Sequence, residues 1–412
     1  MQVKLANMRV PIGKGQVQLL AVILLLASLA STFLHVYMYP LFAPAEVWGD
    51  HYFYWMQAST WLDLGEPLVL NSSVQEQLSS LYATAEYVNP GNDPAFQDPY
   101  AYRVLVPILA GLLGHSLGLN AAFLILGLAS TLAVGFSCGL AVYKLTNSRV
   151  LSVGVAASAI WLPAPMMAEI ISRYALVDMP SLAVVSAVAC LLVFKKYDSA
   201  AVLAGFVAPL IRESLIPLAA VVAIYALLDG DFKKRYWFWA LLPVLTYLVL
   251  ERLIAVGIPN SPTTYLMIEN PLRSAYLFID VFGLVYLVAI GLVSRRVRPA
   301  AIALIPFVAF MFIIVSTLLS SPRHLLPLWP LILIFGSSGI WLTSRPVMRM
   351  SWTFLVVAIF VAAESHRLGL LPRESLFILI VAGFAWIFIS LLGAEYPMRI
   401  VKRKGGDDHS RV

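Results

Sequence analysis

Apolar stretches broken by short polar segments recur along most of the chain, and their lengths predict about twelve membrane-spanning helices. The runs fall near 17–39, 120–143, 150–168, 177–194, 199–211, 214–228, 237–256, 275–293, 300–319, 325–343, 350–365 and 375–393. The first follows Lys4, Arg9 and Lys14 and is too long for a signal-peptide core, so it reads as an uncleaved span. The pair 199–211 and 214–228 is short, with Arg212 and Glu213 at the turn between them. That turn must be shielded by protein, because lipid satisfies no polar group. Segment 102–118 is apolar but broken by Pro107, Gly111, Gly114 and Gly118. At about 1.5 Å per residue it barely spans, so it is placed along the outer interface. A first outer loop of 40–118 follows, carrying interfacial helices. Residues 1–393 then form one transmembrane domain, and 394–412 a charged cytoplasmic tail. No self-similar halves stand out, which gives no support to an inverted-repeat transporter.

Composition agrees with an all-α polytopic membrane protein. The chain is 60% hydrophobic and 12% charged, with a mean hydropathy of +0.85, which excludes a soluble domain with a large core. Charge then orients it. Segments 1–16, 144–149, 195–198, 229–236, 294–299, 345–349 and 394–412 hold 20 of the 28 Lys and Arg, including all nine Lys. The positive-inside rule makes these segments cytoplasmic, with both termini. The net charge of +6 therefore needs no nucleic-acid partner. Cys138 and Cys190 fall inside apolar runs and read as buried thiols.

The eight cations left outside are all arginine: Arg103, Arg173, Arg212, Arg252, Arg273, Arg323, Arg367 and Arg373. Arginine grips phosphate or carboxylate through a planar fork, whereas lysine is a point charge. An outward site that handles an anion is the reading this bias supports. Segment 40–102 adds eight acidic residues, no Lys or Arg, and the aromatics Trp48, Tyr52, Tyr54, Trp55 and Trp61, which suit a membrane interface.

Four short elements could carry chemistry. Asp50, in Val47-Trp48-Gly49-Asp50-His51-Tyr52, sits just past the outer end of the first span. A carboxylate among aromatics there suits a general base, and an ordinary solvated loop acid is the plainer alternative. Asp178, in Arg173-Tyr174-Ala-Leu-Val-Asp178-Met-Pro180, opens a span at its outer end. Simple capping accounts for an acid there, with Arg173 five residues earlier. Arg323-His324, in Ser320-Ser-Pro322-Arg323-His324-Leu-Leu-Pro327, could seat an anion or snorkel to headgroups. Arg212-Glu213-Ser214 occupies the recessed turn, where ionisable residues are costly and functional by default. Arg103, after Tyr100-Ala-Tyr102, begins the interfacial helix. No Cys-x-x-Cys, His-Glu-x-x-His or P-loop pattern appears.

On these residues the chain resembles a GT-C membrane glycosyltransferase. The shared features are an inner N-terminus, a first span with an acid at its outer exit, and a long first outer loop. Arg173-Tyr174-Ala-Leu-Val-Asp178-Met-Pro is similar to an element of protein O-mannosyltransferases and lipid A aminoarabinose transferases. Tyr102-Arg103-Val-Leu-Val-Pro107, Arg212-Glu213-Ser214 and Arg323-His324-Leu-Leu-Pro327 resemble elements of bacterial members. His51 stands where the protein mannosyltransferases carry the second acid of a pair.

The resemblance implies an inverting transfer of a sugar from a polyprenyl-phosphate carrier to a glycan, lipid or protein acceptor on the outer face of the plasma membrane. Asp50 would be the base, with Asp178 orienting the acceptor or an arginine. Arg323 and His324, then Arg212 and Arg103, would hold the leaving phosphate, and Glu213, Arg173 and His51 would complete the substrate-binding set. A divalent metal fits this chemistry without being required, since Asp50 and Asp178 are the only obvious ligands. A lipid-linked-sugar flippase and a non-catalytic subunit of a glycan-assembly complex are the alternatives.

Overall fold

A computed structural model describes residues 14–39, 41, 50–61, 103–161, 167, 170–253, 288–317 and 322–343. The expected spans at 350–365 and 375–393, most of 275–293, the tail and most of the first outer loop lie outside the described residues. Among the described residues the chain is helical, with no strand. Helix α1 is Lys14–Met38, α2 is Asp50–Trp61, α3 is Leu105–Leu117, α4 is Leu119–Thr146 and α5 is Arg149–Trp161. Helix α6 is Asp178–Val193, and α7 runs over Tyr197–Ile211 with a π-turn at Leu203–Val207. Beyond a 3₁₀ turn at Glu213–Leu215 come α8, Leu218–Asp229, and α9, Arg235–Leu253. Next is α10, Arg298–Thr317, and a 3₁₀ helix, Pro322–Leu328, leads directly into α11, Trp329–Thr343.

Among the described residues, three helices are long and apolar enough to cross a membrane: Gln18–Met38, Leu119–Thr146 and Leu325–Leu342. Helix α4 is the hub. It packs against α1 and α5 on one side and against α6 and α11 on the other, while α8 packs between α9 and α10. The perimeter is apolar and open. Leu26, Phe33 and Tyr37 of α1 and Leu241, Leu245 and Val249 of α9 are exposed, a surface that lipid would cover.

Small residues let the hub helices approach. Gly135 and Gly139, one turn apart on α4, face α1 and α5. A Cβ at Gly135 would lie 2.6 Å from Ser28 Oγ and 2.8 Å from the Ala156 carbonyl. Close backbone contact is how membrane helices associate, since apolar burial drives nothing between helices already in lipid. Gly135→Ala should therefore destabilise by about 1–3 kcal/mol through overpacking. Gly154→Ala, where a Cβ would meet nothing within 4 Å, should be neutral or stabilising by up to about 1 kcal/mol. Unfolding of the two variants in detergent checks the opposite signs.

Helix α3 has 13 residues, about 20 Å of helix, too short to cross a hydrocarbon core of about 30 Å. It buries Val106, Ala110 and Gly114 against α2 and α4 and exposes Leu112 and Leu117. Gly118 alone joins it to α4, at φ 78 and ψ 147, a conformation open to glycine and to few other residues. That one residue turns the chain from α3 into α4.

Candidate functional site: a buried ionic relay at one end of the bundle

Helix α7 stops at Ile211. Arg212 leaves it with an extended backbone, φ −160 and ψ 131, before the 3₁₀ turn. Consecutive side chains on extended backbone point to opposite sides. Arg212 and Glu213 therefore reach different partners. Arg212 is 1% exposed and its Nη1 donates to Oδ1 of Asp178, which is 2% exposed, at the first residue of α6. Glu213 turns the other way and receives the fork of Arg103: Nε donates to Oε2 at 2.9 Å and Nη2 to Oε1 at 2.6 Å. The remaining arm of Arg103, Nη1, donates to the Tyr54 hydroxyl at 2.5 Å.

Two adjacent residues thus tie together α6, the entry to α3, and α2. Two cations and two carboxylates balance, so the relay carries no net charge into the protein. That balance matters because an unmatched buried charge is far costlier than a matched pair. The recessed turn expected from sequence is shielded by protein, with Arg212, Ser214 and Leu215 all buried.

The relay is connected to the expected base by a helical register. Asp50 is the first residue of α2, and Tyr54 lies one turn later. Positions four apart share a helix face. Asp50 thus opens the helix that Arg103 holds through Tyr54. The 3₁₀ helix bearing Arg323 and His324 packs against α6 and α10, anchored by buried Leu325, Leu326 and Leu328. The side chains of Asp50, His51, Arg323 and His324 lie outside the described residues. Arg173 lies half-buried in the turn ahead of α6, where its carbonyl accepts from the Leu176 N–H at 2.9 Å.

Several expectations change here. Asp178 does not cap α6. Val177 is the N-cap residue, and the Asp178 carboxylate holds Arg212 instead. Arg212 and Arg103 were expected as reserve phosphate donors; Arg103 directs its fork at the Glu213 carboxylate, and Arg212 donates Nη1 to Asp178. Each holds a carboxylate of the protein itself in this arrangement. Tyr54 was grouped with the interfacial aromatics, yet it is fully buried and bonded to Arg103. The available signal was its position four residues after Asp50.

Among the described residues, the buried donors without a hydrogen-bond partner include Trp55 Nε1 on α2, Ser214 Oγ beside Glu213, and Trp329 Nε1 at the start of α11. Each such orphan costs about 1–3 kcal/mol. Among the described residues no group of three His, Cys, Asp or Glu side chains could hold a metal ion.

The opposite ends of the same helices gather the lysines. Lys144 lies over the Phe194 ring, 5.5 Å from its centroid, and Lys195 pairs with Asp229 at 2.6 Å. Lys233 pairs with Asp198 at 3.2 Å, and Arg235 shares that carboxylate. Helix α6 alone runs from Asp178 in the relay to Val193 beside this cluster. The described ionic groups are thus split between an end with only arginine and an end that holds the lysines, as the alternation of charge along the sequence predicts. Cys138 and Cys190 are free thiols, buried and half-buried.

Comparison with known proteins finds no family model, curated protein or solved structure that matches this chain.

Proposed function

We propose that the protein is a multi-pass membrane glycosyltransferase of GT-C-like architecture, with about twelve spans and both termini cytoplasmic. It moves a sugar from a polyprenyl-phosphate carrier to an acceptor on the outer face of the plasma membrane. The observation that carries this reading is the relay, Asp178–Arg212 and Glu213–Arg103–Tyr54, which ties down the helix that Asp50 opens. Asp50 takes the proton of the acceptor hydroxyl as its oxygen attacks the anomeric carbon. The bond to the carrier phosphate breaks on the opposite face, and the configuration inverts. Arg323 and His324 stabilise the phosphate as its charge grows. The relay holds base and phosphate seat in one geometry, which is where positioned groups gain most of their rate advantage. The orphan donors on Trp55, Ser214 and Trp329 supply partners for sugar or acceptor oxygens. Four charges committed to a neutral clamp favour a rigid site over a moving gate, and this sets the transferase reading ahead of the flippase.

The phosphate seat makes a testable distinction. If Arg323 grips the carrier phosphate through its fork, Arg323→Lys should lose nearly as much as Arg323→Ala, about 10²–10³-fold in rate at saturating donor. A lysine that substitutes fully would assign Arg323 to snorkelling at headgroups instead. Rate and donor affinity are measured for both variants.

A further inference from the structure

The lysine end carries a second feature that the transferase reading leaves unused. A polar cavity of about 460 Å³ is lined by Lys195, Lys196, Asp198, Ser199, Asp231 and Lys233, among others. Beside it runs an open apolar groove of about 500 Å³, lined by Leu191, Val202, Leu203 and Val207. The two share Asp198 and Ser199, so they are continuous. The groove follows the π-turn of α7, where Gly205 lies against α9. A Cβ there would be 2.6 Å from the Trp239 carbonyl. Such turns widen a helix locally and often mark functional sites.

We propose that this end binds an anionic glycerophospholipid, with its phosphate among Lys195, Lys196 and Lys233 and an acyl chain along the groove of Leu191, Val202, Leu203 and Val207. Charge favours an anionic headgroup over a zwitterionic one. The cavity is lined by three cations, Lys195, Lys196 and Lys233, against two carboxylates, Asp198 and Asp231, with Arg235 paired to Asp198 and Asp229 paired to Lys195 at its edge. The Asp198 carboxyl is held below its usual range by Arg235 and then by Lys233. Lys196 is exposed and, among the described residues, makes no ion pair with a carboxylate. Basic pockets between helices on the cytoplasmic side are where anionic headgroups bind.

Backbone geometry gives a second, independent indication. Lys195 sits at φ 58, in the left-handed region, where its N–H donates to the Leu192 carbonyl just past the end of α6. Glycine is the favoured residue at that position because it has no Cβ to clash. The chain carries lysine there, and its ion pair with Asp229 is exposed and contributes little. The turn places the Lys195 cation in the lining of the polar cavity, where a phosphate would meet it. The inference rests on the chain being a membrane protein and is independent of the transferase reading.

Native mass spectrometry of the full chain in detergent tests it with four probes: phosphatidylglycerol, phosphatidylcholine, glycerol phosphate and a polyprenyl phosphate. Wild type should retain phosphatidylglycerol at least about fivefold better than phosphatidylcholine. Lys196→Gln and Lys233→Gln should each lower that retention about fivefold. Lys195→Gly should lower it as much while melting no lower than wild type, because glycine relieves the left-handed residue. Val202→Trp, which fills the exposed groove, should also lower it. Equal retention of the two phospholipids, or unchanged retention in the lysine variants, would overturn the proposal. So would competition by glycerol phosphate at equal concentration, which needs no groove, or preferential retention of the polyprenyl phosphate, which would make this a carrier site.

Discussion

Asp50→Asn should lower transfer by about 10²–10⁴-fold while leaving the fold intact, because it removes a general base and little else. Asparagine is as acceptable as aspartate at the start of a helix, so α2 should persist. The Tyr54–Arg103 hydrogen bond that anchors α2 does not involve residue 50 and should also survive. Rates at saturating donor and acceptor, measured beside the unfolding midpoint, separate lost chemistry from lost structure. Activity within a few-fold of wild type would remove Asp50 from the role. Asp178 would be a poor replacement as base, since it is 2% exposed and committed to Arg212.

Breaking the buried pair should have the largest effect on stability. Asp178→Leu or Arg212→Met alone strands an uncompensated charge among buried residues and should cost about 3–5 kcal/mol. The double variant strands none. It should recover most of that loss, because an apolar pair of similar volume often replaces a buried ion pair at little cost or with a gain. Transfer should not recover with it, since the clamp that joins α6 to the recessed turn is gone. Denaturant unfolding of the two singles and the double in detergent reads the coupling directly. Single variants within about 1 kcal/mol of wild type would mean that water reaches the pair.

The long apolar runs and the recessed turn were legible in the sequence for one reason: charge and apolarity are local quantities. A charged pair inside an apolar stretch, Arg212-Glu213, announces a shielded turn without reference to any other residue. The partners were not legible. Arg103 and Glu213 are 110 residues apart, and Asp178 and Arg212 are 34 apart. Nothing along the chain says which of several acids meets which of eight outer arginines. The backbone at Arg212 decided it, by sending neighbouring side chains in opposite directions. Asp178 was open to two readings, capping its own helix or orienting an arginine, and the structure shows the contact with Arg212. An acid at a helix start is usually explained by the helix itself, and only the position of Arg212 shows that it serves another element. Tyr54 was hidden by its neighbours, since an aromatic among Tyr52, Trp55 and Trp61 reads as interfacial until its hydroxyl is seen to meet a guanidinium. The site's polar frame is thus a tertiary product, whereas its location at the arginine-bearing end was already written in the alternation of charge.

The most direct test of the transferase reading is reaction of the purified, reconstituted protein with a polyprenyl-phosphate sugar and a panel of glycan, lipid and peptide acceptors, with the products identified by mass spectrometry and their anomeric configuration by NMR. The account predicts free polyprenyl phosphate and a glycoside in equal amounts, with the anomeric configuration inverted and both products lost in Asp50→Asn. Donor recovered intact but moved to the other leaflet would contradict it and identify a flippase.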